Sequence, residues 1–172
     1  MVRLYRCRIC GDPHIGDKAP DRCPHCGAYS NFMVEAKDYK ETFDVELTEK
    51  DRKNVEKAFQ LEISNAAFYL CSAKKVEDVE CSNLFKALGK VETEHASIWK
   101  KILKLDSIPK GDDTCTDDMK QDLQQSHERE ERAIKFYSQA AAESDNIRVK
   151  QIFHALVQVE TDHLQLSEQR LK

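Results

Sequence analysis

Glycine and proline are scarce in this chain, at five and four residues of 172. Six of these nine lie within residues 1–38, and only Gly89, Pro109 and Gly111 interrupt the rest. A stretch so poor in breakers, with 34% charged and 40% hydrophobic residues, points to a helix-rich balance. Excess positive charge is missing as well: 27 Lys and Arg stand against 31 Asp and Glu, for a net charge of −4. Nothing therefore favours nucleic acid or an acidic membrane surface as partner. No apolar run approaches the ~20 residues of a membrane span. The first residues, Met1-Val2-Arg3-Leu4-Tyr5-Arg6, carry charge and lead straight into a Cys motif, without a visible signal peptide. We expect a cytoplasmic protein of one ordinary domain, or one domain plus a small module. In that compartment seven Cys bind metal or stay as thiols rather than form disulfides.

What is present is a repeat. Val91-Glu92-Thr93-Glu94-His95 returns as Val159-Glu160-Thr161-Asp162-His163, 68 residues later. The same shift carries Thr48 to Thr116, Glu62 to Glu130, Phe68 to Phe136, Tyr69 to Tyr137 and Phe85 to Phe153, with no gap. The last two-thirds of the chain thus reads as one helix pair written twice. Residues three apart share a helical face, so Glu92 with His95, and Glu160 with His163, address one spot. Phe85, Leu88, Trp99 and Ile102 mark that face in the first copy, as Phe153, Leu156 and Leu166 do in the second. Glu62 and Glu130 likewise interrupt apolar stripes. Four carboxylates facing a core are costly unless compensated. No Lys or Arg stands beside them on those stripes, so two metal ions are the expected counter-charge. One Glu from each of two helices plus Glu-x-x-His from each of the other two is a known donor set for paired metals in a four-helix bundle.

Residues 1–38 have a different character. Cys7-x-x-Cys10-Gly11 and Cys23-Pro24-x-Cys26-Gly27 are two knuckles, each with Gly placed for a left-handed turn. Four thiolates so arranged suit a tetrahedral Zn or Fe site, and the spacing does not choose between them.

The pattern Cys-x-x-Cys-Gly-x-x-His-x-Gly-x-x-Ala-Pro-x-x-Cys-Pro-x-Cys, matched through Gly11, His14, Gly16, Ala19, Pro20 and Pro24, resembles the rubredoxin-like module of rubrerythrins. The doubled Glu…Glu-x-x-His region resembles the ferritin-like bundle of the same family. The small module comes first here, as in the "reverse" rubrerythrins. The resemblance implies a mainly α protein: a rubredoxin-like domain over 1–38, a linker over 39–47 and a ferritin-like four-helix bundle over 48–172. It implies iron at Cys7, Cys10, Cys23 and Cys26, with zinc a possible replacement on heterologous expression. It also implies a di-iron centre at Glu62, Glu92, His95, Glu130, Glu160 and His163, in which Glu92 and Glu160 bridge. The implied activity is reduction of hydrogen peroxide to water in oxidative-stress defence, with electrons from an NAD(P)H-linked reductase or a rubredoxin. Alternatives are a dioxygen-reactive ferroxidase or oxidase, and a non-enzymatic electron carrier or zinc-loaded protein. One departure stands out: family members carry a further Glu one turn after the third-helix ligand, where this chain has Ala133.

Tyr69 and Tyr137, seven residues after Glu62 and Glu130, are expected to hydrogen-bond ligand carboxylates. Helices are expected over about 49–75 and 78–104, then from Thr116 to Ser144, then from Asp145 or Asn146 to the end. Thr48 and Thr116 are the expected N-caps of the first and third. Residues 107–113 form the long crossover of a ferritin-like topology. Phe32 and Phe43 should pin the linker, His127 should be partly exposed, and Cys71, Cys81 and Cys115 should be inert thiols. Glu62 stands about 14 residues into the first helix, roughly 20 Å from the module's attachment. A homodimer is therefore expected, with the module of one chain near the di-iron site of the other.

Overall fold

The computed structural model describes residues 1–172. Four helices dominate: α1 (Glu49–Lys75), α2 (Val79–Leu103), α3 (Met119–Glu143) and α4 (Ile147–Leu171). α2 and α4 begin and end 68 residues apart, as the repeat requires. α1 packs on α2 and α3 on α4, and α1 also meets α3. The core repeats too. Phe68, Tyr69 and Phe85 form an aromatic cluster with centroid separations of 5.3, 6.4 and 6.0 Å. Phe136, Tyr137 and Phe153 repeat it at 5.5, 6.3 and 5.7 Å. Trp99 adds a ring 4.6 Å from that of Phe153.

Each helix starts where a polar side chain takes its orphan amides. Thr48 accepts from the Asp51 amide at 3.1 Å. Asp51 is itself buried, taking Ser144 Oγ at 2.6 Å, and so ties the start of α1 to the α3–α4 turn. Asp78 caps α2 and Asn146 caps α4. Thr116 does not cap α3. Asp118 does, accepting from the amides of Lys120 and Gln121 at 2.8 and 3.1 Å. Asp122 explains the displacement: it is fully buried and takes both the Thr116 amide and hydroxyl, at 2.9 and 2.8 Å. Thr116 thus lies outside the helix, turned back upon its first turn.

The α2–α3 connection, residues 104–118, crosses the outer face of α1. A Cβ on Gly111 would sit 2.7 Å from the Ile63 carbonyl oxygen, so the chain lies directly on the helix. Cys71 of α1 and Cys115 of the crossover form a disulfide. This corrects the expectation of three inert thiols, since only Cys81 among them is free. The pairing was hidden because 44 residues separate the partners and only the crossover's path brings them together.

The N-terminal module is a three-stranded antiparallel sheet, β1 (Arg3–Cys7), β2 (Pro13–Gly16) and β3 (Met33–Glu35), in the order β2-β1-β3. The knuckles leave its ends, and Gly11 and Gly27 adopt φ of +87° and +73°. Residues 39–48 carry no helix or strand. Phe43 is buried against Gly11 and pins this stretch down.

Candidate metal centres and their junction

Cys7, Cys10, Cys23 and Cys26 are each no more than 3% exposed. Sγ separations of 3.7 Å (Cys7–Cys26) and 3.8 Å (Cys10–Cys23) match the ~3.8 Å edge of a tetrahedron built on ~2.3 Å metal–sulfur bonds. The amides of Ile9 and Asp12 donate to Cys7 Sγ and Cys10 Sγ at 3.3 and 3.4 Å, the contacts the left-handed glycine turns allow.

In the bundle, Glu62, Glu92, His95, Glu130 and Glu160 are fully buried and His163 nearly so. Their donor atoms fall into two groups. One is Glu62, Glu92, His95 and Glu160; the other is Glu92, Glu130, Glu160 and His163, each within 4.8 Å. Glu92 and Glu160 belong to both. His95 Nδ1 lies 3.2 Å from Glu160 Oε1, and His163 Nδ1 lies 3.0 Å from both Glu92 Oε1 and Glu160 Oε2. Buried atoms left without a hydrogen bond include Glu62 Oε2, both Glu92 oxygens, Glu130 Oε2, Glu160 Oε1 and His95 Nδ1. Orphaned buried oxygens are rare and expensive, and here they converge. Four carboxylates balance two divalent ions, and oxygen with imidazole donors suits iron or manganese. The residues present therefore fit a paired-metal site.

The repeated tyrosines cross over. Tyr69 of α1 donates to Glu130 of α3, and Tyr137 of α3 donates to Glu62 of α1. Burial pushes both phenols well above their usual range, so they stay protonated donors. Ala133 is fully buried, and Glu131 is exposed beside His127 at 3.7 Å, so it points away from the metals.

The module lies across α2 and α4 of its own chain. His95 Nε2 is hydrogen-bonded to the Cys26 carbonyl at 2.9 Å. Gly27 approaches Val159 so closely that a Cβ would lie 2.8 Å from its methyl carbon. The roughly 20 Å gap expected from linear placement on α1 does not exist, because the linker turns the module back along the bundle. A neighbouring chain's module is not needed to bring a cysteine knuckle to the bundle site.

Two docking residues escaped the sequence reading although the repeat carries them. Glu94 and Asp162 occupy the same place in the two pentads, between the Glu and His of each motif. Asp162 takes Arg22 Nε at 3.0 Å and the Tyr29 hydroxyl at 3.1 Å. Glu94 meets Asp12 and Lys101 beside Cys10, where burial and then the Asp12 carboxylate push it up to about 7. Neither residue faces the bundle site, although a Glu94 carboxylate oxygen comes within 4.8 Å of Cys10 Sγ, and their repetition was the available signal.

Comparison with known proteins agrees with this geometry. The family profile described as "Rubrerythrin" matches residues 53–170, and that described as "Rubrerythrin, rubredoxin-like domain" matches residues 5–33. Reverse rubrerythrin-1 of Clostridium acetobutylicum is 29% identical over 113 residues, covering 59% of this chain and 62% of the relative's length. The chain thus spans under two thirds of that relative. It carries a four-cysteine site in its rubredoxin-like domain and a Glu/His di-iron site in its bundle. With the rubredoxin-like domain first and the Glu/His bundle after it, the chain belongs to the rubrerythrin family.

Proposed function

We propose that this protein is an oxidoreductase that reduces hydrogen peroxide: H2O2 + 2e− + 2H+ → 2H2O. The bundle site would receive the peroxide, and the four-cysteine site, when it holds iron, would supply one-electron redox capacity between an outside donor and the bundle. The observation that carries this reading is the single hydrogen bond, 2.9 Å long, joining a cysteine knuckle to a histidine of the bundle site.

Cys7, Cys10, Cys23 and Cys26 would hold one iron. Glu62, Glu92, His95, Glu130, Glu160 and His163 would hold a pair, with Glu92 and Glu160 shared between its members. When bound, the irons supply one-electron redox steps and Lewis acidity toward peroxide oxygen. The protein's own part is positional. Donation to the Cys26 carbonyl keeps the His95 proton on Nε2 and leaves the Nδ1 lone pair facing the carboxylates. Tyr69 and Tyr137 fix the rotamers of Glu130 and Glu62 and hold a proton at each carboxylate's Oε1. Burial of the whole set keeps bulk water from the site. The family resemblance supports an NAD(P)H-linked reductase or a rubredoxin as the donor.

A dioxygen-reactive oxidase or ferroxidase is the second reading, favoured by the methyl group of Ala133 where family members carry a further carboxylate. The deciding experiment is steady-state turnover of the iron-loaded protein with a reduced donor, offered peroxide or dioxygen separately. The proposal expects faster turnover with peroxide. Faster turnover with dioxygen would overturn it in favour of the second reading.

A further inference from the structure

Four consecutive carbonyls of the first knuckle, Arg8 to Gly11, each accept a hydrogen bond from a cationic side chain. Arg148 Nη2 donates to the Arg8 carbonyl and, at 3.4 Å, to that of Ile9. Lys101 Nζ donates to the Cys10 carbonyl at 2.7 Å. Arg6 donates twice to the Gly11 carbonyl, at 2.8 and 2.6 Å. Two of these cations, Arg148 of α4 and Lys101 of α2, belong to the bundle and reach the module only because it is docked.

Arg148 is the unusual member. It is 9% exposed, and no carboxylate lies within 4.0 Å of its guanidinium. Its remaining bonds go to the Thr42 carbonyl and the Gln151 side chain, both neutral. Lys101, by contrast, has Asp12 and Glu94 at 3.6 and 3.7 Å. Glu41 acts on it only from beyond 4.0 Å, and a buried guanidinium with no acid in contact is costly unless some other negative charge compensates it. The thiolates Cys7 and Cys10 bracket the two carbonyls that Arg148 holds, and four thiolates around ferric iron carry a net charge of −1. Adding one electron makes it −2. A fixed positive charge nearby favours the more negative form, and burial leaves that effect little screened by salt.

We propose that Arg148 is a positioning residue that sets the reduction potential of the four-cysteine iron, its unpaired guanidinium serving as counter-charge to the reduced thiolate site through the Arg8 and Ile9 carbonyls. The docked bundle thereby makes its own electron store easier to reduce than the module alone would be. This inference rests on the four-cysteine site holding iron, and not on what the bundle does with peroxide.

The test is an anaerobic redox titration of the visible absorption of the ferric four-cysteine site, at fixed pH and without peroxide. It compares wild type with Arg148→Lys, Arg148→Gln, Arg148→Met and Arg8→Gln. Arg148→Gln removes the charge but keeps a donor for the carbonyls. Arg148→Lys keeps the charge. Arg8 is exposed on the same knuckle and controls for a screened charge. We expect Arg148→Gln and Arg148→Met to lower the one-electron reduction equilibrium at least tenfold, a shift of about 59 mV. Arg148→Lys and Arg8→Gln should shift it by less than half as much. Should Arg148→Met fail to hold iron, the Gln and Lys variants decide the matter. A Gln variant with wild-type potential, or a Lys variant that falls as far as Gln, would overturn the proposal. Because no peroxide is present, a protein that shows the shift yet fails to turn over peroxide would contradict the proposed function and leave this inference standing.

Discussion

His95 Nε2 lies 2.9 Å from the carbonyl oxygen of Cys26, 69 residues away in sequence, and this bond joins a candidate ligand of the bundle site to a cysteine of the other site. One residue of the bundle site and one of the four-cysteine site thus share a direct contact within a single polypeptide.

Removing one thiolate should separate relay from chemistry. Cys7→Ser or Cys26→Ser should abolish steady-state peroxide turnover, because no store remains between donor and bundle. The pre-reduced bundle should still undergo a single oxidation at a rate close to wild type, since none of the six residues of its site is touched. Stopped-flow oxidation that fails in the Cys variant would contradict the division of labour.

The crossed tyrosines should act as equivalent supports. Tyr69→Phe frees Glu130 and Tyr137→Phe frees Glu62, each leaving a buried carboxylate oxygen without its donor. Each change should cost about 1–3 kcal/mol in stability and roughly 10–100-fold in metal affinity. Thermal unfolding and competitive chelation check this. A large effect from one and none from the other would contradict their equivalence.

The repeat was legible because a 68-residue shift aligns residues that packing forces to be alike: Glu62 with Glu130, Tyr69 with Tyr137, Phe85 with Phe153. Helix ends followed, since Asp78, Asn146 and Thr48 are strong caps next to apolar periodicity. Thr116 misled because the repeat implied a cap, while Asp122, unmatched by an acid at Asn54, draws it out of that role. The strands of the module are only three to five residues long and alternate poorly, with Leu4 and Ile15 exposed. What lay beyond reach was docking. Arg22 with Asp162 and Arg148 with Arg8 are pairs 140 residues apart, and nothing local in either segment announces the other.

Metal removal should leave a protein that weakens as pH rises. Without ions, burial pushes Glu62 and Glu130 well above the usual carboxylate range. For His95 and His163 burial acts the other way, but the surrounding carboxylates outweigh it and raise both. A group whose folded pKa exceeds its unfolded value contributes stability below the unfolded pKa and loses it as pH climbs through the folded one. These four shifts have that sign, and the window opens at about 4.3 for Glu and about 6.5 for His; Glu92 and Glu160 are lowered instead, and what they contribute is lost only on the acid side of that window. Denaturant midpoints of the chelated protein should therefore fall between about pH 5 and about pH 8, with a much smaller fall for the metal-loaded form. Equal slopes for the two forms would contradict the assignment of these residues as ligands.

The lack of a fifth carboxylate should make the site rigid. Ala133 cannot ligate, Glu131 is exposed, and Asn65, the matching residue of the first half, accepts from Arg129 at 3.1 Å. Both His95 and His163 should remain bound on oxidation. Crystal structures of the reduced and peroxide-treated protein should show each metal within about 1 Å of its starting place. A larger shift, or a carboxylate arriving from Glu131 or Glu128, would sink this expectation.

The most direct test of the account mixes fully reduced, iron-loaded protein with hydrogen peroxide at one fixed, saturating concentration and follows the return of ferric absorption at the four-cysteine site over a range of protein concentrations. Transfer across the Cys26–His95 contact within one chain predicts a first-order rate that does not change over a roughly hundredfold range of protein concentration. A rate that rises in proportion to concentration, or a four-cysteine site that stays reduced while the bundle is oxidised, would contradict it.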